Sequence, residues 1–246
     1  MQRIEILGST FDSVTMEEAQ ARMASYVMDG GSHLVITANP EMVMKARGDQ
    51  LLSEIIRRAD LVVADGIGVV WASRVLERAV PERIPGIELA EGLLSQASSK
   101  GWRVFLVGGA EGVAHRAAEV LKGRLPDLEI VGTHHGFFRS GEEEQEVIAQ
   151  IEREKPHILL AALGVPRQEK WLAAHLGTLK VPLAIGVGGS FNVWAGVDKR
   201  APGWVRKINM EWFYRLVRQP WRIKRLAVLP VFVLSVVGSR IRQGGR

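Results

Sequence analysis

In this 246-residue chain the type and position of Asp65 suggest chemistry, because Asp65 follows an apolar run at 61–64 and precedes Gly66. Aspartate has a reference pKa of about 3.9, so its carboxylate is ionised at neutral pH and can take a proton from a hydroxyl group. An aspartate followed by glycine is also a common plain turn. The position leaves both interpretations open, a general base and a turn.

Two more polar side chains, Thr37 and Asn39, lie around the end of the apolar run at 33–38. Pro40 follows Asn39, and asparagine before a proline at the first helical position is a good helix start. The same polar group can also contact a substrate. For Asn39 the sequence leaves the N-cap and the binding role equally open.

Glycine-rich turns follow three other apolar runs. Such turns let the backbone approach a diphosphate at a helix N-terminus, although plain structural turns have the same composition. The first of them lacks the full G-x-G-x-x-G spacing. The three turns are at 108–112 with Gly108 and Gly109, at 164–171 with Gln168, and at 186–191 with Gly188.

Arg83 lies in a loop at 81–86 that two prolines stiffen. A solvated surface arginine is the commoner case. A stiff loop is nevertheless a suitable mount for a guanidinium that meets phosphate. Arg83 is therefore a candidate substrate-binding residue.

The sequence predicts neither a protein-bound metal nor a cofactor. It contains no cysteine, no Asp-x-Asp, no His-x-x-x-His and no P-loop lysine motif. His134 and His135 are adjacent, and neighbours on a strand point to opposite faces, so we expect no metal site there.

These candidates must be positioned by short apolar runs that alternate with helical patterns. The pattern predicts an α/β fold of the Rossmann-like kind, with a mainly parallel sheet and helices on both faces. In such sheets ligands bind beyond the carboxyl ends of the strands. The predicted strands are at 33–38, 61–64, 102–107, 128–131, 157–163 and 182–187, with a further short strand at the N-terminus and a capping box at Thr15 and Glu18 before the first helix.

Charge divides the chain into two predicted parts, an α/β domain at 1–203 and a basic helical appendage at 204–246. The appendage, called the tail below, holds ten basic side chains and one acidic one, a net charge of +9, whereas 1–203 holds 22 basic and 26 acidic ones, a net charge of −4. This asymmetry indicates an anionic partner for the tail.

The tail favours a membrane surface over nucleic acid as that partner. Arg215, Arg218, Arg222 and Arg225 are spaced for one face of a helix, which Pro220 kinks or divides. The apolar run at 226–238 is 13 residues long against roughly 20 for a spanning helix, so we expect an interfacial anchor. The N-terminus shows no signal-peptide core, and we expect a cytoplasmic protein attached peripherally to the membrane.

The ordered motifs together resemble the WecG/TagA/CpsF family of glycosyltransferases over essentially the whole chain. Two positions, Asn192 and Gln219, depart from the family pattern, which more often has an acid there. The matching blocks are Thr37-x-Asn39, Asp65-Gly66, Pro81-x-Arg83, Gly164-x-Pro166-x-Gln168-Glu169-x-Trp171, Gly186-Val187-Gly188-Gly189, Arg200-Ala201-Pro202, Glu211-Trp212-Phe213-Tyr214-Arg215-Leu216 and Pro220-Trp221-Arg222.

The resemblance implies an inverting enzyme that moves a sugar, often N-acetylmannosamine, from a UDP-sugar to a polyprenyl-diphosphate-linked acceptor at the inner membrane face. Members serve wall teichoic acid and other cell-surface polysaccharide pathways. The implied roles are a base for Asp65, contacts to substrate hydroxyls for Thr37 and Asn39, a donor contact for Gln168, and contacts to a diphosphate for Arg83, Arg215, Arg222 and Arg225.

Two other functions remain as alternatives. A nicotinamide-dependent oxidoreductase would use the glycine turn at 108–112, and a non-enzymatic, membrane-attached nucleotide-sugar sensor would keep the crevice without needing Asp65. The sequence leaves the oligomeric state open, and a homo-oligomer is compatible with it.

Overall fold

The structure is a computed structural model that describes residues 2–138, 140–218 and 227–244, with the backbone alone for Arg215 and for 243–244. Arg222 and Arg225, and also Pro220, lie outside the described residues, so the predictions made for them stay predictions.

Strands and helices alternate through the first two hundred residues. The strands are β1 (Arg3–Ile6), β2 (Ser9–Asp12), β3 (His33–Ala38), β4 (Leu61–Ala64), β5 (Val104–Gly108), β6 (Ile130–His134), β7 (Ile158–Ala162) and β8 (Leu183–Gly186). The helices are α1 (Met16–Met28), α2 (Pro40–Ala46), α3 (Gln50–Arg58), α4 (Ile67–Val75), α5 (Gly86–Lys100), α6 (Val113–Arg124), α7 (Gly141–Glu154), α8 (Arg167–Leu179), α9 (Ser190–Trp194), α10 (Gly203–Lys207), α11 (Glu211–Arg218) and α12 (Val228–Gly244).

Among the described residues, six parallel strands form the main sheet in the order β4-β3-β8-β7-β5-β6. Adjacent residues of β3 face different cores, since Val35 packs in one buried cluster and Ile36 in the other. Helices therefore cover both faces, and this is why the strands are apolar without alternation. The predicted α/β class is confirmed.

A hairpin of β1 and β2 stands beside this sheet, and the sequence predicted only its first strand. Asp12 at the end of β2 accepts hydrogen bonds from the backbone N–H of Val62 in β4, at 2.8 Å, and from Arg3 Nε, at 3.0 Å. The carboxylate thus satisfies a donor of the edge strand and joins the hairpin to it.

The tail is helical in its described parts, and α10 begins one residue before the predicted boundary at 203/204. In α12, Phe232 and Val236 are buried against α2 and α4, while Val231, Leu234 and Ile241 on another face of the helix are exposed. None of the described helices combines the length and apolarity that crossing a bilayer requires.

Candidate active site

Thr37 and Gln168 each form a hydrogen bond with the backbone at the end of β8. The Thr37 hydroxyl donates to the carbonyl oxygen of Gly186 at 3.3 Å, and the Gln168 side-chain oxygen accepts from the N–H of Gly188 at 3.2 Å. A Cβ on Gly186 would lie 2.5 Å from Gln168 Nε2, so only glycine permits this approach. Two predicted site residues and Gly188 are thereby brought together.

Asn39 and Asp65 form a second pair at the adjoining ends of β3 and β4. Asn39 caps α2, because its Oδ1 accepts from the N–H of Met42 at 3.0 Å; the predicted N-cap is confirmed. The N–H of Asp65 donates to the carbonyl of Ala38 at 2.9 Å. Gly66, with φ of 135°, would place a Cβ 3.8 Å from that of Asn39, so the two polar residues are neighbours. The cap uses the oxygen of Asn39, and among the described residues its amide nitrogen has no hydrogen-bond partner and can contact a ligand.

The stiff loop at 81–86 closes over the same edge. The N–H of Ile84 donates to the carbonyl of Ala64 at 2.9 Å, which holds the loop against the end of β4. A Cβ on Gly86 would lie 2.9 Å from Thr37 Oγ1, so α5 begins directly above Thr37. Arg83 is thereby held at the edge that carries Asp65.

A network of arginines and glutamates, which the sequence did not predict as a site, surrounds Arg83. Arg83 Nη2 lies 4.0 Å from Glu211 Oε2, and Arg200 Nε lies 3.9 Å from Glu211 Oε1. Arg200 also pairs with Glu88, as does Arg206 through its Nη1 at 3.1 Å. Three guanidinium groups and two carboxylates are thus gathered near the start of α5.

Only part of this network had a signal in the sequence. Arg200 and Glu211 lie in motif blocks, but nothing assigned them to the crevice. Glu88 was distinguished only by its place in the first turn of α5, where an acid is generally favourable.

Glycine at 108 and 109 has structural reasons at the end of β5. A Cβ on Gly108 would lie 2.5 Å from the backbone of Ala162, and Gly109 has φ of 73°. The N–H of Gly109 donates to the carbonyl of Ala162 at 3.0 Å, so it is already used. The substrate-binding role of these glycines stays a prediction. Because their structural reasons account for them, they do not support the oxidoreductase alternative.

Arg215 lies one turn beyond Glu211 in α11, on the helix that begins next to Arg83. Its backbone is thus near the rim of the crevice. The contact of its side chain with a diphosphate stays a prediction, as do the contacts of Arg222 and Arg225.

The expectation that the His134 and His135 side chains point apart is wrong. His135 lies beyond the last residue of β6, so strand alternation no longer applies, and the two rings are 4.4 Å apart. His135 Nε2 lies 3.1 Å from Glu143 Oε1, and the three side chains bring ligand atoms within 4.8 Å of one another. The contact between His135 and Glu143 is within hydrogen-bond distance, which accounts for their approach.

The residues at the joint edge of β3, β4 and β8 provide a carboxyl group, a hydroxyl, amides and a guanidinium. This combination suits transfer of a group between a hydroxyl acceptor and a phosphorylated donor, with arginine opposite the negative leaving group. A parallel α/β fold with such an edge suits a glycosyltransferase.

The chain belongs to the Glycosyl transferase WecG/TagA/CpsF family, whose profile matches residues 4–246. Two similar proteins come from Staphylococcus aureus, and both are named N-acetylglucosaminyldiphosphoundecaprenol N-acetyl-beta-D-mannosaminyltransferase. The protein of strain MRSA252 is 36% identical and that of strain MW2 is 35% identical, each over 240 residues that cover 97% of this chain and 93% of the relative. The resemblance seen in the motifs is confirmed, and the protein is a glycosyltransferase.

Proposed function

We propose that this glycosyltransferase moves N-acetylmannosamine, with inversion, from UDP to a sugar carried on a polyprenyl diphosphate. The names of its relatives supply the transferred sugar and an acceptor linked through diphosphate to undecaprenol. The product belongs to cell-surface polysaccharide synthesis, such as that of wall teichoic acid.

In the proposed reaction the Asp65 carboxylate takes the proton of the acceptor hydroxyl. The hydroxyl oxygen forms the new bond to the anomeric carbon as the bond from that carbon to the UDP oxygen breaks. Both electrons of the broken bond leave with UDP, whose diphosphate gains negative charge. In this proposal Arg83 meets that charge, since a charge-assisted hydrogen bond strengthens as the charge develops.

Thr37, Asn39 and Gln168 hold the sugars in this proposal. Their support is their convergence at one sheet edge, beside Asp65 and under the start of α5. Orientation of two substrates is a large part of catalysis in such bimolecular transfers.

One observation carries the membrane side of the proposal: α12 packs against α2 and α4, the helices that follow Asn39 and Asp65 in the chain. A Cβ on Gly68 would lie 2.7 Å from Pro40 Cγ and 3.9 Å from Phe232 Cε1, so Phe232 lies near the start of both helices. The outer face of α12 exposes Leu234 at 72% and Ile241 at 69%. An exposed apolar helix face at the rim of the crevice suits a substrate anchored in lipid.

The tail therefore attaches the enzyme peripherally to the inner face of the membrane, with its arginines near anionic headgroups and the two diphosphates. Arg206 and Arg240 pair with Glu88 and Glu77 of the body, so they hold the tail in place rather than add to its outward charge. The exposed aliphatic face favours lipid over nucleic acid, which basic and aromatic residues alone would equally suit.

A turnover assay tests the proposal, with UDP-N-acetylmannosamine as donor and a short-chain polyprenyl-diphosphate-linked N-acetylglucosamine as acceptor. Release of UDP with formation of a disaccharide-linked lipid is the expected result. A parallel screen of other UDP-sugars checks the donor. Binding of donor without turnover under all these conditions would contradict the enzyme and support the sensor alternative.

A further inference from the structure

We propose that Glu169 is a positioning residue that fixes the side-chain amide of Gln168 in the orientation needed to hold the sugar donor. The inference rests on the donor contact proposed for Gln168. It adds a residue behind the crevice that contacts Gln168 and not the donor itself.

Glu169 is 2% exposed and lies in the first turn of α8. Its Oε1 accepts a hydrogen bond from Gln168 Nε2 at 2.6 Å. Its Oε2 is buried and has no hydrogen-bond partner within the part of the chain that the structure describes. The side-chain hydrogen bond of this buried carboxyl is thus directed at a predicted substrate-binding amide.

The amide of Gln168 is held from both ends. Its nitrogen donates to Glu169, and its oxygen accepts from the N–H of Gly188 at 3.2 Å. If the amide rotated by 180°, its nitrogen would face the N–H of Gly188 and both bonds would be lost. Among the described residues, one N–H and one oxygen lone pair of Gln168, which is 2% exposed, are not used by these two bonds and keep a fixed arrangement.

A merely structural role explains this carboxyl poorly. Burial without a partner for one oxygen costs stability, and an apolar side chain of similar volume would avoid that cost. The contact with another residue that only a hydrogen-bond acceptor provides here is the one to Gln168. Orientation of that amide is therefore the specific consequence of having Glu169 at this position.

The protonation of Glu169 gives the contact a measurable signature. Burial raises the pKa of Glu169 to about 7, and the hydrogen bond from Gln168 and the charge of Lys45 offset this only in part. With the proton on Oε2, Oε1 still accepts from Gln168. A bound diphosphate adds negative charge near the site and further favours the protonated form.

The other charged groups described on α2 and α8 have partners of their own, and Arg167 lies over the ring of Phe138. Lys45 of α2 bonds Glu41 at 2.8 Å and the carbonyl of Val165 at 3.0 Å. The remaining pairs around α8 are Asp49 with Lys170 at 2.6 Å and Glu144 with His175 at 3.4 Å. A change in donor affinity near pH 7 that depends on residue 169 is therefore assigned to Glu169 itself.

The test compares Glu169→Ala, Glu169→Gln, Gln168→Ala and the double variant Glu169→Ala/Gln168→Ala in steady-state turnover. In Glu169→Ala the donor KM is expected to rise about tenfold, as for loss of a hydrogen bond to a charged or strongly polar group, with a smaller change in kcat. Glu169→Gln keeps an acceptor oxygen and should recover most of that loss.

In the wild type the donor KM should rise up to about tenfold between pH 6 and pH 8 through linkage to one proton, and Glu169→Gln should abolish this rise.

Leu176→Ala is the matched control, because Leu176 is a buried residue of α8 outside the proposed contacts. It should lower the melting temperature and leave the donor KM unchanged. In the Gln168→Ala background, Glu169→Ala should add little to the donor KM.

Two outcomes overturn the proposal in distinguishable ways. A normal donor KM in Gln168→Ala removes the donor contact and the inference together. A raised KM in Gln168→Ala, combined with an undiminished effect of Glu169→Ala in that background, removes the inference alone. If Glu169→Ala fails to fold, the pH profile of Glu169→Gln decides, and a profile identical to the wild type overturns the inference.

Discussion

Arg83 Nη2 of the body lies 4.0 Å from Glu211 Oε2 of the tail, and the two side chains are 16% and 13% exposed. Glu211 is the single acid of the tail, and its other oxygen lies 3.9 Å from Arg200 Nε. Because the pair is largely removed from water, its attraction is screened less than that of a surface ion pair. The one negative charge of the tail therefore contributes to placing α11 against the loop that carries Arg83.

Arg83 has two proposed partners, the Glu211 carboxylate and a diphosphate of the substrate, and two variants distinguish them. Arg83→Gln removes both, whereas Glu211→Gln keeps the guanidinium and removes only its carboxylate partner. We expect kcat/KM to fall about 10- to 100-fold in Arg83→Gln, since a charge-assisted hydrogen bond to phosphate is worth roughly 1.5–3 kcal/mol. Glu211→Gln should lose clearly less turnover at a similar melting temperature. Equal losses of kcat/KM would mean that Arg83 acts only on the tail.

The sheet and much of its functional edge were predictable from local sequence. The apolar runs at 33–38 and 61–64 are the strands β3 and β4 without any shift of bounds, because both faces of the sheet are buried and the run is continuous. Parallel strands bring their carboxyl ends to one edge, so the proximity of Asn39 and Asp65 followed from their positions alone.

Contacts between distant parts of the chain were not predictable in this way. Arg83 and Glu211 meet only because the tail folds back on the body, and no local pattern encodes that path. The approach of His134 and His135 depends on the strand ending between them, and strand ends are the least certain feature of a pattern. Glu169 carried a motif signal, but its burial and its contact with Gln168 depend on how α8 packs against the sheet, which no local pattern specifies.

Asp65→Asn tests the proposed base with a change of one atom. Asparagine keeps the size of the side chain and the backbone N–H bond to Ala38, but it cannot take the proton of the acceptor. Turnover is expected to fall about 100-fold or more, the usual contribution of a general base, while the melting temperature stays close to the wild type. Asp127→Asn, at an exposed loop position, is the matched control. Near-normal turnover of a folded Asp65→Asn enzyme would show that another group takes the proton.

The double variant Leu234→Glu/Ile241→Glu tests the membrane face of α12. Both side chains are mostly exposed, so the fold should tolerate the change, whereas truncation after residue 203 would also remove the buried Phe232 and Val236. Loss of two apolar side chains worth roughly 1.5 kcal/mol or more each should reduce co-flotation with anionic vesicles at least tenfold. Leu51→Glu, at a position 57% exposed on the body, is the control. Unchanged flotation of the α12 variant would remove that face from the attachment.

Turnover is expected to persist in a metal chelator, because arginine and backbone groups are proposed to meet the charge of the leaving diphosphate. The measurement is initial velocity after exhaustive dialysis against a chelator, with and without added Zn²⁺ or Mg²⁺. His134, His135 and Glu143 are the described group that would hold an ion. If the chelator abolishes turnover and Zn²⁺ restores it, Glu143→Gln should reproduce the loss, and the metal-independent mechanism would be wrong.

Glu169 should also make the free energy of unfolding depend on pH in a direction opposite to that of an ordinary paired carboxylate. Burial raises its pKa from 4.5 to about 7 in the folded protein, so between these pH values the folded state binds more protons at this site than the unfolded state does. The stability that this group contributes therefore falls as pH rises from 4.5 to 7 and is constant above pH 7, a decline of about 3 kcal/mol for a shift of this size. The measurement is the difference in unfolding free energy between the wild type and Glu169→Gln, by denaturant titration at several pH values, because the other titrating groups cancel in that difference. The wild type should lose stability relative to Glu169→Gln across this window, and a flat difference would mean that Glu169 titrates at an ordinary pKa.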